Sequence, residues 1–195
     1  MKDAGIEVTV GVLEEECKAL NKRFMTYHAQ HRPFVTLKWA ESADGFIDGH
    51  ISNAYTQMIC HKRRAEHQAI LIGRKTFEVD HPSLNVREWI GKSPKRYVVS
   101  SQPLTLPEGF HLVQSADVAN ILHQLDEDGI QTVLVEGGAE LLQSFIDSGL
   151  WDECYVEKGV NTINGKIKAP VLSEAAKLKA INTAFGQPIE EYVKA

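Results

Sequence analysis

Only three cysteines are present, Cys17, Cys60 and Cys154, far apart and outside any C-x-x-C pair. A disulfide framework and a cysteine zinc site both need paired or clustered thiols, so neither is indicated; reduced, packed thiols in a reducing cytoplasm are expected. A long apolar run is missing too. No stretch approaches the roughly 20 apolar residues that span a bilayer, and the start Met1-Lys2-Asp3-Ala4-Gly5 has no secretion-signal apolar core. Positive charge is also short. Against 26 Asp and Glu stand 21 Lys and Arg, a net charge of -5, which argues against a general nucleic-acid surface because such a surface needs basic stripes to neutralise phosphates. H-E-x-x-H, the deaminase H-x-E with P-C-x-x-C, and G-x-S-x-G are all absent, which leaves metal hydrolysis, zinc deamination and serine hydrolysis without residues. His28 and His31 sit at a helical ligand spacing, but no carboxylate or thiol group completes a site, and no metal is expected.

What is there is an ordinary globular composition, 43% hydrophobic over 195 residues, enough for one good core. Leu13, Cys17, Leu20 and Phe24 recur at helical spacing, so the spacing predicts an amphipathic helix from about Glu14 to Ala29. Phe34 to Ala40 alternates, Val35, Leu37 and Trp39 on one side and Thr36 and Lys38 on the other, as a strand with unlike faces does. Ser52 and Asn53 are helix caps before Ala54 to Glu66, and Ala69 to Gly73 is a short buried strand. Glu78 to Lys95, with Pro82, Gly91 and Pro94, reads as a long irregular loop, followed by a strand at Tyr97 to Val99. Ser115 is placed to cap a helix carrying Val118, Ile121, Leu122 and Leu125 that ends near Gly129. Thr132 to Val135 is the next strand, Leu141 to Ile146 lie in a helix that ends at Gly149, and Glu153 to Glu157 is another strand. Strands alternating with helices imply an α/β fold whose largely parallel sheet is covered on both faces. Beyond Gly159 the pattern weakens and the last strand is not placed.

Chemistry concentrates in a few places. Val133 to Glu140 is a strand ending in Gly137-Gly138 and opening into a helix, which is either a tight turn or a phosphate cradle built from unpaired N–H groups and the helix dipole. Glu136 lies at the carboxyl end of that strand, the edge at which open α/β sheets bind ligands, and reads as a site acid or as a surface acid beside a helix start. Lys38, inside an apolar strand, either faces a ligand or snorkels out. Asp80-His81-Pro82 with Arg87 puts an acid, an imidazole and a guanidinium in one loop, able to protonate and clamp a phosphorylated substrate, or there by chance. Lys62, Arg63 and Arg64 form a basic run that reads more readily as a solvated helix face than as a site.

Taken together, Arg32 to Lys38, Ser42-Ala43-Asp44-Gly45, Arg64-Ala65-Glu66, Asp80 to Arg87 and Val135-Glu136-Gly137-Gly138 closely resemble, in order and spacing, the reductase half of the bifunctional riboflavin-biosynthesis deaminase-reductases. Gly5 to Phe24 resembles the connector after the family's deaminase domain, which divides the chain into a connector helix region at 1–31, packed on the core, and a reductase domain at 32–195. The resemblance implies a dihydrofolate-reductase-like three-layer sandwich with a mostly parallel central sheet, a cytoplasmic homodimer, and NADPH-dependent reduction of 5-amino-6-(5-phosphoribosylamino)uracil to its ribitylamino counterpart by hydride transfer to the ribose C1′. It places Ala40, Thr76, Asp80, Ser101, Gly138, Ala139, Glu140, Leu141, Leu142, Gln143 and Ser144 beside the cofactor. Arg64, Leu84, Arg87 and Glu136 then face the substrate, and Asp80, Lys38 and Glu136 carry the catalytic roles, Asp80 with Lys38 for proton handling. Arg74, Lys75 and Ser101 are candidates for the cofactor's 2′-phosphate.

One departure stands out. The family has a longer loop after the Asp-Gly turn, with a serine for substrate and a tryptophan beside the cofactor; here Asp48 and His50 hold the nearest positions, and no contact is carried onto them. With no zinc-deaminase segment, any deaminase is an upstream domain or a separate protein. Two other readings stay open: an NADPH-dependent reductase of another pterin-like heterocycle, and a non-catalytic partner module with a degenerate site.

Overall fold

The computed structural model describes residues 1–184 and 186–194. Its elements are α1 (Glu14–Gln30), β1 (Phe34–Glu41), α2 (Ala54–Ala65), β2 (Ala69–Gly73), α3 (Arg74–Asp80), β3 (Lys95–Val99), β4 (Phe110–Val113), α4 (Val118–Glu127), β5 (Thr132–Glu136), α5 (Ala139–Ser148), β6 (Glu153–Lys158), β7 (Ala176–Asn182) and β8 (Ile189–Lys194). The strands form one eight-stranded sheet in the order β4-β3-β2-β5-β1-β6-β8-β7. The first six neighbours in that order pair in parallel, and β8 and β7 close the end as an antiparallel hairpin. The chain runs from β1 outward to β2, β3 and β4, then returns to place β5 between β2 and β1. That reversal puts the carboxyl ends of β1 and β5 side by side, with Lys38 in register with Glu136.

The two faces of the sheet differ because the strands alternate. Val35, Leu37 and Trp39 of β1 join Val133, Val135, Cys154 and Val156 under Ile121, Leu122 and Leu125 of α4 and Leu142, Phe145 and Ile146 of α5, in one dry cluster. Each such side chain contributes about 1.5–3 kcal/mol on burial. The opposite face carries a second apolar cluster at one end, where Ile70, Ile72, Leu84 and Val98 pack with Phe77 and Phe110. Under α1 and α2 it is lined instead by Thr36, Lys38, Glu136, Glu153, Tyr155 and Glu157.

That polar face decides how α1 docks. Glu153 is 1% exposed and holds Lys22 and Arg23 in ion pairs, the latter at 3.2 Å, with the Thr36 hydroxyl donating at 3.0 Å. Burial works against its charge, but Lys22, Arg23 and Thr36 hold its carboxyl below the usual range. The same two cations lie over the Phe34 ring at 5.3 and 5.7 Å. The helix therefore forms where its spacing predicts, yet Leu13, Leu20 and Phe24 stay exposed while its charged side meets the sheet. A buried carboxylate without cations costs more than a few exposed apolar side chains.

Other differences are local. Asp117, not Ser115, caps α4, its carboxylate accepting the Asn120 N–H at 2.9 Å; the Ser115 hydroxyl instead accepts the Asp117 N–H. The stretch read as loop from Glu78 begins as the end of α3, a seven-residue helix with no side-chain cap and no apolar period to announce it. The four-residue β4 and the β7–β8 hairpin were likewise not placed by periodicity. Arg32 grips Asp152 through two 2.7 Å bonds, and the Val35 N–H donates to the same carboxylate at 2.7 Å, which fixes the entry into β1.

Candidate active site

Glu136 is 8% exposed at the end of β5. Arg64, on the last turn of α2, meets it end-on: Nε donates to Oε1 at 3.0 Å and Nη2 to Oε2 at 2.6 Å. Cys60, one turn earlier, donates its thiol to Oε1 at 3.4 Å. Burial opposes ionisation of Glu136, but the Arg64 fork and the nearby Lys38 charge hold its carboxyl below the usual range. Burial likewise works against the Arg64 charge, but the Glu136 fork outweighs it and raises the guanidinium pKa. The Cys60 thiol is pushed up by burial and then by Glu136, so it stays a donor at neutral pH. Lys38 is half-buried on the same face and, among the described residues, makes no hydrogen bond or ion pair. Burial disfavours its ammonium, yet Cys60, once ionised at the high pH where the lysine titrates, and the Glu136 and Glu157 carboxylates outweigh that and the opposing Arg64, and hold its pKa above the ordinary value.

The basic run on α2 is thus not a solvated face. Arg64 is committed to Glu136, and Arg63 lies 3.1 Å over the Tyr155 ring; Lys62 alone is turned outward, to Glu66.

The long loop is tied to this centre from above. Arg64 Nη1 donates to the Asn85 carbonyl at 3.3 Å, and the Arg87 N–H donates to His61 Nδ1 at 3.0 Å. Leu84 is 3% exposed and held at φ 52, a backbone conformation costly for a branched side chain that persists because the loop is clamped on both sides. The Arg87 side chain is exposed and donates to Ser83 and Asn85, on the loop whose Asn85 carbonyl Arg64 holds. His61 went unnoticed in the sequence; its only signal was a histidine one helical step from Arg64. Burial and the Arg64 charge lower its pKa from 6.5, which keeps Nδ1 unprotonated and able to accept. A depressed histidine pKa contributes stability that is present above pH 6.5 and lost as pH falls through the lowered value. We expect limited proteolysis within 81–94 to accelerate on acidification below that point, and His61→Phe to show the fast rate at every pH. A cleavage rate that ignores both would rule out this anchor.

The Gly137-Gly138 turn lies next to Glu136, with φ 74 and 78. A Cβ on Gly138 would come within 3.1 Å of Thr76 Oγ1, and one on Gly137 within 3.1 Å of Thr76 Cγ2. Glycine is therefore required both by conformation and by the approach of α3. Gly138 is also the N-cap of α5, whose first N–H groups have no intrahelical acceptor. Of the residues expected beside a cofactor, Ala40 is the penultimate residue of β1 and Thr76 abuts the glycines, whereas Ser101 is an exposed residue beyond β3. Ala139 and Leu141 are half-buried in the first turn of α5, and Glu140 there is exposed. Leu142 is wholly inside the main core, the Gln143 side chain bonds Asp147 and Val171, and Ser144 bonds the Leu141 carbonyl, so these three offer little beyond backbone. Asp80 is exposed at the end of α3, and among the described residues no hydrogen bond or ion pair joins it to Lys38, Arg64 or Glu136.

The loop after the Asp-Gly turn is tied to the 163–167 segment by Asp44 and Asp48. Asp44 accepts the N–H groups of Ile163 and Asn164 at 3.1 and 2.8 Å, and Asp48 those of Lys166 and Ile167 at 2.7 and 3.1 Å. Asp48 thus serves the 163–167 segment.

An open, largely parallel sheet with a buried acid and a glycine turn at its carboxyl edge defines a dihydrofolate-reductase-like α/β protein. Dihydrofolate reductase from Enterococcus faecalis complexed with NADP(H) shares the fold, with a TM-score of 0.61 at 19% identity over 83% of this chain and 96% of that one. More particularly, the chain belongs to the RibD C-terminal domain family, whose profile matches residues 33–159. The riboflavin biosynthesis protein RibD of Aquifex aeolicus is 32% identical over 193 residues, covering 80% of this chain and 54% of its own length. The Thermotoga maritima diaminohydroxyphosphoribosylaminopyrimidine deaminase/5-amino-6-(5-phosphoribosylamino)uracil reductase superimposes with a TM-score of 0.88 at 25% identity, covering 100% of this chain and 66% of that one. The chain thus spans between half and two thirds of the length of these relatives.

Proposed function

We propose that this domain reduces 5-amino-6-(5-phosphoribosylamino)uracil to 5-amino-6-(5-phosphoribitylamino)uracil with NADPH. The observation that carries this reading is the Arg64–Glu136 fork facing Lys38 beside the Gly137-Gly138 turn, in a chain of the RibD C-terminal domain family. The side-chain-free glycine turn and the first N–H groups of α5 suit a nucleotide pyrophosphate, since those N–H groups have no intrahelical acceptor and the helix dipole favours an anion there. When bound, NADPH supplies the hydride that the ribose C1′ gains.

The chain's own residues then orient and protonate. Glu136, held ionised by Arg64, accepts hydrogen bonds from the pyrimidine, while Arg87, on the loop that Arg64 holds, meets the phosphate. Lys38, a charged donor without a partner among the described residues, delivers the proton needed at the ribose oxygen as its ring opens, and Asp80 handles protons from the loop side. Leu84 closes the apolar wall.

The same reading takes residues 1–31 as a connector and 32–195 as the reductase domain, acting as a cytoplasmic homodimer with a deaminase upstream or as a separate protein. The deaminase named in the Thermotoga protein favours that pairing, and no helix among the described residues is long and apolar enough to cross a membrane. Purified protein should oxidise NADPH with the phosphoribosylamino-uracil and leave dihydrofolate untouched, followed by nicotinamide absorbance. Turnover of dihydrofolate would replace the substrate; NADPH binding with no turnover of either would make the domain non-catalytic.

A further inference from the structure

Glu157 belongs to no motif quoted above. It lies on β6, 2% exposed, and its two oxygens are each taken by a hydroxyl: Oε1 accepts from Thr56 Oγ1 at 2.6 Å and Oε2 from Ser52 Oγ at 2.7 Å. Ser52 precedes α2 and Thr56 is in its first turn, where it also closes a capping box with Asn53. A carboxylate so buried needs more than two neutral hydroxyls, because each oxygen retains a lone pair and the charge itself is uncompensated. Strand register supplies the answer. Lys38 pairs with Tyr155 and Ala40 with Glu157, so Glu157 stands two residues along on the same face as Lys38. On the other flank, Glu136 of β5 is directly in register with Lys38.

We propose that Glu157 is a positioning residue for the active-site lysine: from β6 it holds the Lys38 ammonium against Glu136 on β5, while its hydroxyl bonds fix the first turn of the helix that carries Cys60 and Arg64. The groups facing Lys38 are then Cys60 and Arg64 from α2, Glu136 from β5, and Tyr155 and Glu157 from β6. Two carboxylates bracket one ammonium, and the burial that disfavours the charge is outweighed. The arrangement of charge stands independently of the substrate; its effect on turnover rests on the function proposed above.

The test reads Lys38 directly. In protein carrying 13C-labelled lysine, the Cε shift of Lys38, assigned by its loss in Lys38→Arg, is titrated in parent, Glu157→Gln and Glu157→Asp. The midpoint should fall by about one pH unit in Glu157→Gln and recover in part in Glu157→Asp, and the basic limb of kcat/KM should move with it. An unmoved Lys38 midpoint in Glu157→Gln, even with a lower Tm, overturns the proposal and leaves Glu157 a structural anchor of α2. Should Glu157→Gln fail to fold, Glu157→Asp decides alone: the charge has withdrawn by one methylene, and a midpoint equal to the parent's sinks the idea. If the parent shows no turnover, the functional reading fails while the titration still decides the role of Glu157.

Discussion

Glu136→Gln is expected to lower kcat/KM by about 100-fold while leaving NADPH affinity within about twofold. The substitution keeps the shape but removes the charge that the Arg64 fork neutralises. One amide oxygen can still accept from Arg64, but the amide NH2 then points a donor at a donor, and a buried guanidinium is left with no counter-charge. Breaking a buried pair from one side costs about 3–5 kcal/mol, and about 2.7 kcal/mol is already a hundredfold in rate. Lys38, which faces the same carboxylate, loses part of what keeps it charged. NADPH binding should be spared because the glycine turn and the start of α5 do not use the Glu136 side chain. Steady-state kinetics beside direct NADPH titration separate the two effects; equal activity in mutant and parent would take Glu136 out of the site.

Gly138→Ala is expected to do the reverse, weakening NADPH by at least about tenfold with the Arg64–Glu136 pair intact. At φ 78 and ψ 101 an L side chain is strained, by about 1–3 kcal/mol. Its Cβ would also press to 3.1 Å on Thr76 Oγ1, from a helix that cannot retreat because Phe77 packs against the sheet. The turn must shift, and with it the N–H groups at the start of α5. Fluorescence titration of NADPH with thermal melting checks this. Unchanged affinity together with an unchanged Tm would show that the turn is neither strained nor part of a cofactor site.

How much of this was readable beforehand differs from element to element. β1 announced itself, since Val35, Leu37 and Trp39 alternate with Thr36 and Lys38, and its apolar side did become core. The glycine pair likewise marked a strand-to-helix turn, because no other residue tolerates two successive positive φ values at a close approach. Leu13, Cys17, Leu20 and Phe24 marked a helix, yet said nothing about which side of it would dock. That depended on Glu153, more than a hundred residues away, needing Lys22 and Arg23. His61 and Glu157 were silent for a related reason: each works through a partner remote in sequence, the Arg87 N–H in one case and Thr56 and Ser52 in the other. β7 and β8 escaped notice because their side chains are mostly exposed or half-buried and lack the alternation that burial imposes.

Local periodicity, caps and glycines were therefore enough to establish an alternating α/β chain and to mark Lys38 and Glu136 as residues to watch, whereas Arg64 read as part of a solvated face and was singled out only by the family resemblance. They are properties of neighbouring residues, set by the steric and hydrogen-bonding rules of the backbone. That those three side chains meet, that the polar face of the sheet lies under α1 and α2, and that a second buried carboxylate flanks Lys38 were settled by folding. The order β2-β5-β1-β6 brings distant segments into register, and a charge can be buried only where such a distant segment supplies its counterpart.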